Sequence, residues 1–185
     1  MARTKMDLKK RQVVLKPELL DESRNLSKLE ASLKKQNIIL YVDRMLLFTE
    51  YHFEVFESGS FPNGYTKEGT IRYKAGHLRF PFGVHLPAYT QEEFNAKKRP
   101  RGIVTINEVV AAPLKKLWGI EASKSGFNNR ESMIYEMTEW EDRFYKDMTP
   151  DSLVSYYHFT FNGNAKKKEI DTLLKIVQPP EPRGY

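Results

Sequence analysis

The chain contains no cysteine. Disulfides, thiolate nucleophiles, Cys-ligated zinc and iron–sulfur clusters are excluded with it, although the absence does not fix a compartment. No apolar run approaches the length that spans a bilayer, and residues 1–11 are polar and basic with no apolar core behind the charges. The expectation is therefore a soluble, intracellular protein of the cytoplasm, without a membrane partner. The four histidines, His52, His77, His85 and His158, fall at no metal-ligand spacing, so neither a metal site nor a cofactor is expected. No internal repeat is present.

What remains is a chain of 185 residues, 40% hydrophobic and 12% aromatic, with a formal net charge of +6. That length supports one domain with a substantial core and terminal additions. The aromatic content argues for a packed fold over a disordered chain. The positive balance attracts nucleic acid, nucleotides or anionic surfaces through long-range, salt-sensitive forces, without identifying which.

The most informative stretch is residues 66–74. After Gly69 the side chains alternate with period two, placing Ile71 and Tyr73 on one face of a strand and Thr70, Arg72 and Lys74 on the other. One face thus offers a hydroxyl, a guanidinium and an ammonium in a row. Taken alone, such a run is more often the solvated face of an ordinary strand than a site.

The rest of the chain reads as a frame for it. Residues 1–16 mix basic side chains with few large apolar ones and read as a loose arm. Pro17 suits a helix start, Leu26, Leu29 and Leu33 follow at helical spacing, and Ser27 is available as a cap. Residues 38–42 and 45–48 read as strand around Asp43 and Arg44. Thr49 caps a short helix carrying the Phe53/Phe56 pair, and Gly59 stops it. Residues 60–65 have the composition of a surface loop, and residues 78–81 form a short strand after a turn at Gly76. Lys97, Lys98, Arg99 and Arg101 make a basic loop cluster that either contacts phosphate or is solvated. Residues 102–110 alternate as a strand with Glu108 on the face of Val104, Ile106 and Val110. If that face is core, Glu108 must be paired or raised in pKa and is a candidate acid or base; if it faces solvent, it is an ordinary surface residue. Residues 113–118 read as a short helix and residues 121–126 as a turn. Asn128 with Glu131 starts a helix whose stripe runs through Met133, Ile134, Met137, Trp140 and Phe144. Residues 153–161 are apolar on both faces, as in a central strand, with His158 a core or cleft-wall residue. Asn164 caps a last helix that Pro179 and Pro180 end.

Taken in order, these elements and the spacing of Lys67, Thr70 and Arg72 resemble the ASCH family, a branch of the PUA-like superfold. The family's Gly-x-Lys-x-x-Thr-x-Arg run is matched by those three residues, with Gly59 as the helix-ending glycine and residues 60–66 inserted between it and the lysine. Residues 104–109, Gly126 with Phe127, and Tyr157, His158 and Phe159 resemble its second core strand and C-terminal half. The resemblance implies an α+β fold, a small mixed β-barrel with surrounding helices, over residues 38–162. A basic arm and amphipathic helix (1–37) would precede it, and a C-terminal helix and tail (163–185) would follow.

It further implies a cleft beside the Lys67-Thr70-Arg72 strand that binds RNA or a nucleotide. Arg72 and Lys74 would meet phosphate there, and Tyr73 or Tyr89 would stack on a base. Some members resemble amidohydrolases acting on N4-acylated cytidine. In that case Lys67 would serve as base or polarise water and Thr70 as nucleophile or orienting hydroxyl. The position that the family gives to a glutamate is Ser125, which cannot accept a proton as a carboxylate does, so Glu68, Glu108 or Glu121 would have to substitute. A third reading is a non-catalytic subunit that docks a protein partner through the N-terminal helix.

Overall fold

The computed structural model describes residues 13–15 and 23–182. Its centre is the stretch that is apolar on both sides. Leu153–Asn162 forms a strand (β8) flanked by Gly102–Pro113 (β7) and Gly69–Arg72 (β4), both antiparallel to it. His85–Tyr89 (β6) pairs with the start of β7, and Leu46–Leu47 (β3) adds in parallel to β6. The order β3-β6-β7-β8-β4 makes a curled five-strand half-barrel in a mixed α+β fold. Ile39–Asp43 (β2) and His77–Pro81 (β5) form a separate parallel pair, tied to the half-barrel where Ser155 Oγ donates to Arg79 O at 2.5 Å.

The alternation of β8 divides the interior in two. Tyr157 and Phe159 enter one core with Leu46, Phe48, Phe53, Leu78, Phe80, Val104 and Ile106. Val154 and Tyr156 enter the other with Ile71, Tyr73, Leu114, Leu117 and Met133. The flanking helices Ser23–Lys34 (α1) and Lys167–Val177 (α6) share the first core through Leu29, Leu33, Leu173 and Val177. Each core is large enough to hold its strand face rigid, which matters for β4, because its two faces look into different cores.

Several elements differ from expectation. Val13–Leu15, within the expected loose arm, is a strand (β1) antiparallel to the end of β7; the rest of that arm and Pro17 lie outside the described residues. Ser27 falls inside α1 and is no cap. β6 forms despite Pro87, and residues 119–124 form a short helix (α4, Gly119–Lys124) in place of a turn. Residues 114–116 are one 3₁₀ turn. The helix Arg130–Thr138 (α5) starts from an Asn129/Ser132 capping box and ends before Trp140 and Phe144, which are exposed. Lys166, with Glu169, caps α6 in place of Asn164. Glu50–Ser58 (α2) has the expected cap, Thr49, and ends at Gly59 in the left-handed region, φ 94°. A second short helix, Gln91–Asn95 (α3), follows β6.

A bulge between Ile106 and Glu108 moves Glu108 to the other face. Ile106 opposes Phe159 and Glu108 opposes His158, so Asn107 is the extra residue and the alternation reverses there. Glu108 therefore shares the face of Val110 and Ala112, not that of Val104 and Ile106.

Gly69, at the start of β4 opposite β8, lies against the side chain of Tyr156. A Cβ at that position would overlap the Oη, Cε2 and Cζ atoms of Tyr156, which is 3% exposed and held on every side. Gly69→Ala is expected to destabilise the protein by about 3 kcal/mol, the upper end for overpacking a tight core. Urea denaturation checks it, and in a Tyr156→Ala background the same substitution should cost far less, because the colliding ring is gone.

Candidate functional site

The β2–β3 turn, the first turn of α2, β4 and β5 enclose a cleft of about 600 Å³, with Phe144 and Tyr145 at its edge. Each element brings a particular group. The alternation of β4 aims Thr70 and Arg72 at the side shared with Tyr157 and Ser155, their cross-strand partners. Thr49 accepts from the His52 backbone N–H at 3.3 Å, which fixes the start of α2 and sets the His52 ring on the cleft wall. β2 and β5 supply Asp43 and Arg79 side by side.

The charge on these groups is unbalanced. Asp43, 4% exposed, is the sole carboxylate on the lining among the described residues, and it is already engaged. It accepts from Tyr157 Oη at 2.6 Å, from Arg79 Nη2 at 2.6 Å and from Arg79 Nε at 3.2 Å. Arg72 donates from Nη2 to Leu47 O at 3.1 Å, its Nε is covered and unpartnered, and it forms no ion pair among the described residues. Its guanidinium lies 5.3 Å from the centre of the Phe48 ring, and burial lowers its pKa.

Lys67 is 6% exposed and donates to Gly69 O at 2.9 Å, with Phe48 and Phe61 5.7 and 5.6 Å away. Burial first, and then the charge of Arg72, lower its pKa to about 7. Burial, with Lys67 and Arg72 behind it, lowers His52 to about 3. The three groups form a basic cluster in which two members are held near or in their neutral forms by desolvation and by one another.

The sequence-predicted residues divide among separate places. Thr70 and Arg72 line the cleft; Lys67 does not reach the lining and lies behind Phe48. Tyr73 is buried, bonded to Asp147 Oδ2 at 3.3 Å and packed edge-on against Tyr145, and Tyr89 is buried against Phe94. Neither presents a free face to a base. Lys74 lies past the end of β4, 4.3 Å over the Tyr41 ring, beside a second cavity of about 550 Å³. Ser125 donates to Glu121 O at 2.8 Å, and the next residue, Gly126, packs against Phe61, the ring that also faces Lys67.

Glu108 and Glu121 stand across the sheet from Thr70 and Arg72. Glu121 is buried with Oε2 unpartnered, and burial raises its pKa, with Glu108 adding to the effect. Both act on the buried Tyr156 hydroxyl, on the face of Ile71. Glu68 is 3.4 Å from Lys124 and 3.8 Å from His158. Among the described residues no carboxylate therefore pairs with Lys67 or Thr70.

The basic loop cluster is largely spent on acids. Arg101 pairs with Glu50 and with Glu93 at 2.7 Å, Arg99 with Asp171 at 2.7 Å, and Lys97 with Glu181 at 3.6 Å. The Lys97 and Arg99 pairs are exposed and weak, so they would open readily; Arg101 is the committed one. Lys98 is exposed beside them.

Sequence reasoning missed Asp43, Arg79, His52 and Tyr145. The available signals were a charged pair interrupting an apolar run at 43–44, an arginine inside the 78–81 strand, and a histidine in the first turn after Thr49. Among the described residues no cluster of three or more His, Asp or Glu is arranged to hold a metal, and no helix is long and apolar enough to cross a membrane. No family model matches the chain, and neither a curated protein nor a solved structure matches it.

Proposed function

We propose that the cleft binds a nucleotide, free or as one unit of single-stranded RNA, as the ASCH resemblance implies. The observation that carries this reading is Arg72, a half-buried guanidinium with its Nε covered and no ion pair among the described residues, at one side of a cleft of nucleotide size. A buried cation without a counterion is unfavourable unless an anionic ligand completes it. The exposed Phe144 ring, 87% accessible and braced edge-on by Tyr145 at 4.8 Å, offers the stacking face that Tyr73 and Tyr89 do not.

The test is calorimetry with nucleoside monophosphates and anisotropy with short labelled single-stranded RNAs at low salt. Binding is expected, and Phe144→Ala, an exposed substitution that leaves the core intact, should weaken it by roughly 1–3 kcal/mol, the worth of one base stacked on an aromatic ring. Absence of binding by every monophosphate and every RNA would sink the reading.

Hydrolysis is the second reading, and one observation favours it: Lys67, with a pKa near 7, is poised as a base. It lacks the partner acid, since Glu108 and Glu121 face the other core. Release of cytidine from N4-acetylcytidine by the wild-type chain but not by Lys67→Met would establish it over binding alone.

A further inference from the structure

The inner end of the cleft holds more positive charge than its own side chains neutralise. Arg72 and Arg79 both reach it, and Asp43 is matched to Arg79 by two hydrogen bonds. Arg72 is left over. Behind it stand His52, on α2, and Lys67, whose nearest groups are Arg72, the Gly69 carbonyl and the rings of Phe48 and Phe61. His52 Nδ1 and Arg72 Nε are covered and without a hydrogen-bond partner. Thr49 and His52 place the first turn of α2, whose backbone N–H groups favour anions, on the same wall.

We infer that this inner end, bounded by Arg72, His52 and the first turn of α2, takes the phosphate group of the ligand, and that it prefers a terminal phosphate monoester to a backbone diester. The inference rests on the nucleotide reading. The preference follows from charge. A diester carries one negative charge, which Arg72 alone balances. A monoester carries close to two above its second pKa of about 6, and the second needs a second cation. Lys67, off the cleft lining behind the Phe48 ring and held near neutrality by burial and by Arg72, supplies it through its field and without contact, by taking up a proton when the anion arrives. The other groups facing Arg72 are Tyr145, Arg79, Asp43 and Tyr157, from the edge loop, β5, β2 and β8. His52, lower still, adds a hydrogen bond without needing to titrate.

The pH dependence is then two-sided. Below about pH 6 the ligand loses its second charge. Above about pH 7 the free protein must acquire a proton to bind, so affinity falls by up to about tenfold per pH unit. The tightest binding lies between these limits.

Calorimetry on the full chain, comparing a nucleoside, its 5′-monophosphate and inorganic phosphate at pH 8 in two buffers of different ionisation enthalpy, tests this. The monophosphate is expected to bind at least about tenfold more tightly than the nucleoside, with uptake of up to about one proton. Lys67→Met, which removes a buried amine without opening a cavity, should abolish the uptake, and His52→Phe should weaken monophosphate and inorganic phosphate alike. Phe144→Ala should weaken the monophosphate and leave inorganic phosphate unchanged. Equal affinity for nucleoside and monophosphate, or indifference to both His52→Phe and Lys67→Met, overturns the phosphate assignment and leaves the nucleotide reading standing. Phosphate binding with proton uptake but no preference for nucleotides upholds the assignment and overturns the reading. Binding of none of the three overturns both.

Discussion

Lys67→Met is expected to make the protein more stable at pH 6 and to flatten its stability against pH. The folded state lowers the Lys67 pKa from 10.5 to about 7, chiefly by burial and then by the Arg72 charge. Between those values the unfolded chain binds more protons than the folded one, so stability rises with pH from about 7 to about 10.5. Below about 7 both states are protonated and the full penalty remains. A shift of this size corresponds to about 4–5 kcal/mol at pH 6. Methionine is of similar length, fits between Phe48 and Phe61 and needs no proton, though it forfeits the bond to Gly69 O. A net gain of about 3 kcal/mol at pH 6, reversing to a loss of about 1 kcal/mol by pH 10 where the forfeited hydrogen bond outweighs the remaining penalty, is the expected result in urea denaturation across pH. A loss of stability at both pH values would show that the amine is stabilising and that its burial needs no ligand to explain it. His52 works in the same direction at lower pH: its pKa falls from 6.5 to about 3, so stability declines as pH falls below 6.5. A fold that keeps two such groups beside Arg72 holds free energy in reserve at the cleft, as sites that bind anions do.

The strand at the centre of this arrangement was legible because its information is local. The period-two alternation of Thr70, Ile71 and Arg72 fixes which side chains share a face, and Gly59 announces the end of α2 through its own conformational freedom. The curled mixed α+β sheet follows from such runs. What local pattern could not give is which face meets which core. The Thr70/Arg72 face reads as polar, yet it points into the half-barrel against Tyr157, because β4 is an inner-facing strand with cores on both sides.

Other features became legible only after folding. The alternation through residues 102–110 continues without interruption in the sequence, and only pairing with β8 reveals that Asn107 is extruded and Glu108 is turned to the other face. β6 was hidden by Pro87, which a strand interior disfavours. It is tolerated because β3 reaches only Ala88 and Tyr89, so the missing N–H leaves no ladder bond unmade. The basic cluster at 97–101 could be read either as a phosphate contact or as a solvated loop because the acids it meets, Glu50, Glu93 and Asp171, lie on three other elements. The cleft has the same character: Asp43, His52, Arg72 and Arg79 come from four elements and meet only after folding.

Asp43→Ala is expected to destabilise the protein by about 3–5 kcal/mol, the cost of removing one partner from a buried ion pair. Asp43 accepts from both Arg79 and Tyr157 while 4% exposed, so its loss leaves a guanidinium and a phenol without their acceptor. It also removes the one negative charge that the described residues place on the cleft lining, so that the repulsion between Arg72 and Arg79 loses its counterweight. Asp43→Asn should cost less, because the amide oxygen can still accept from one of the two donors while the charge is lost. The double variant Asp43→Ala with Arg79→Met should recover much of the loss, since the stranded charge goes with its partner. Urea denaturation of these four proteins and of Arg79→Met alone measures this, and an additive double variant would show that Asp43 acts through packing alone. The same series separates stability from binding. If the cleft is completed by a phosphate, saturating monophosphate should raise the urea midpoint of Asp43→Ala more than that of the wild type, because the ligand's charge replaces the missing carboxylate. An equal or smaller rise would place the bound anion away from Arg79 and Arg72.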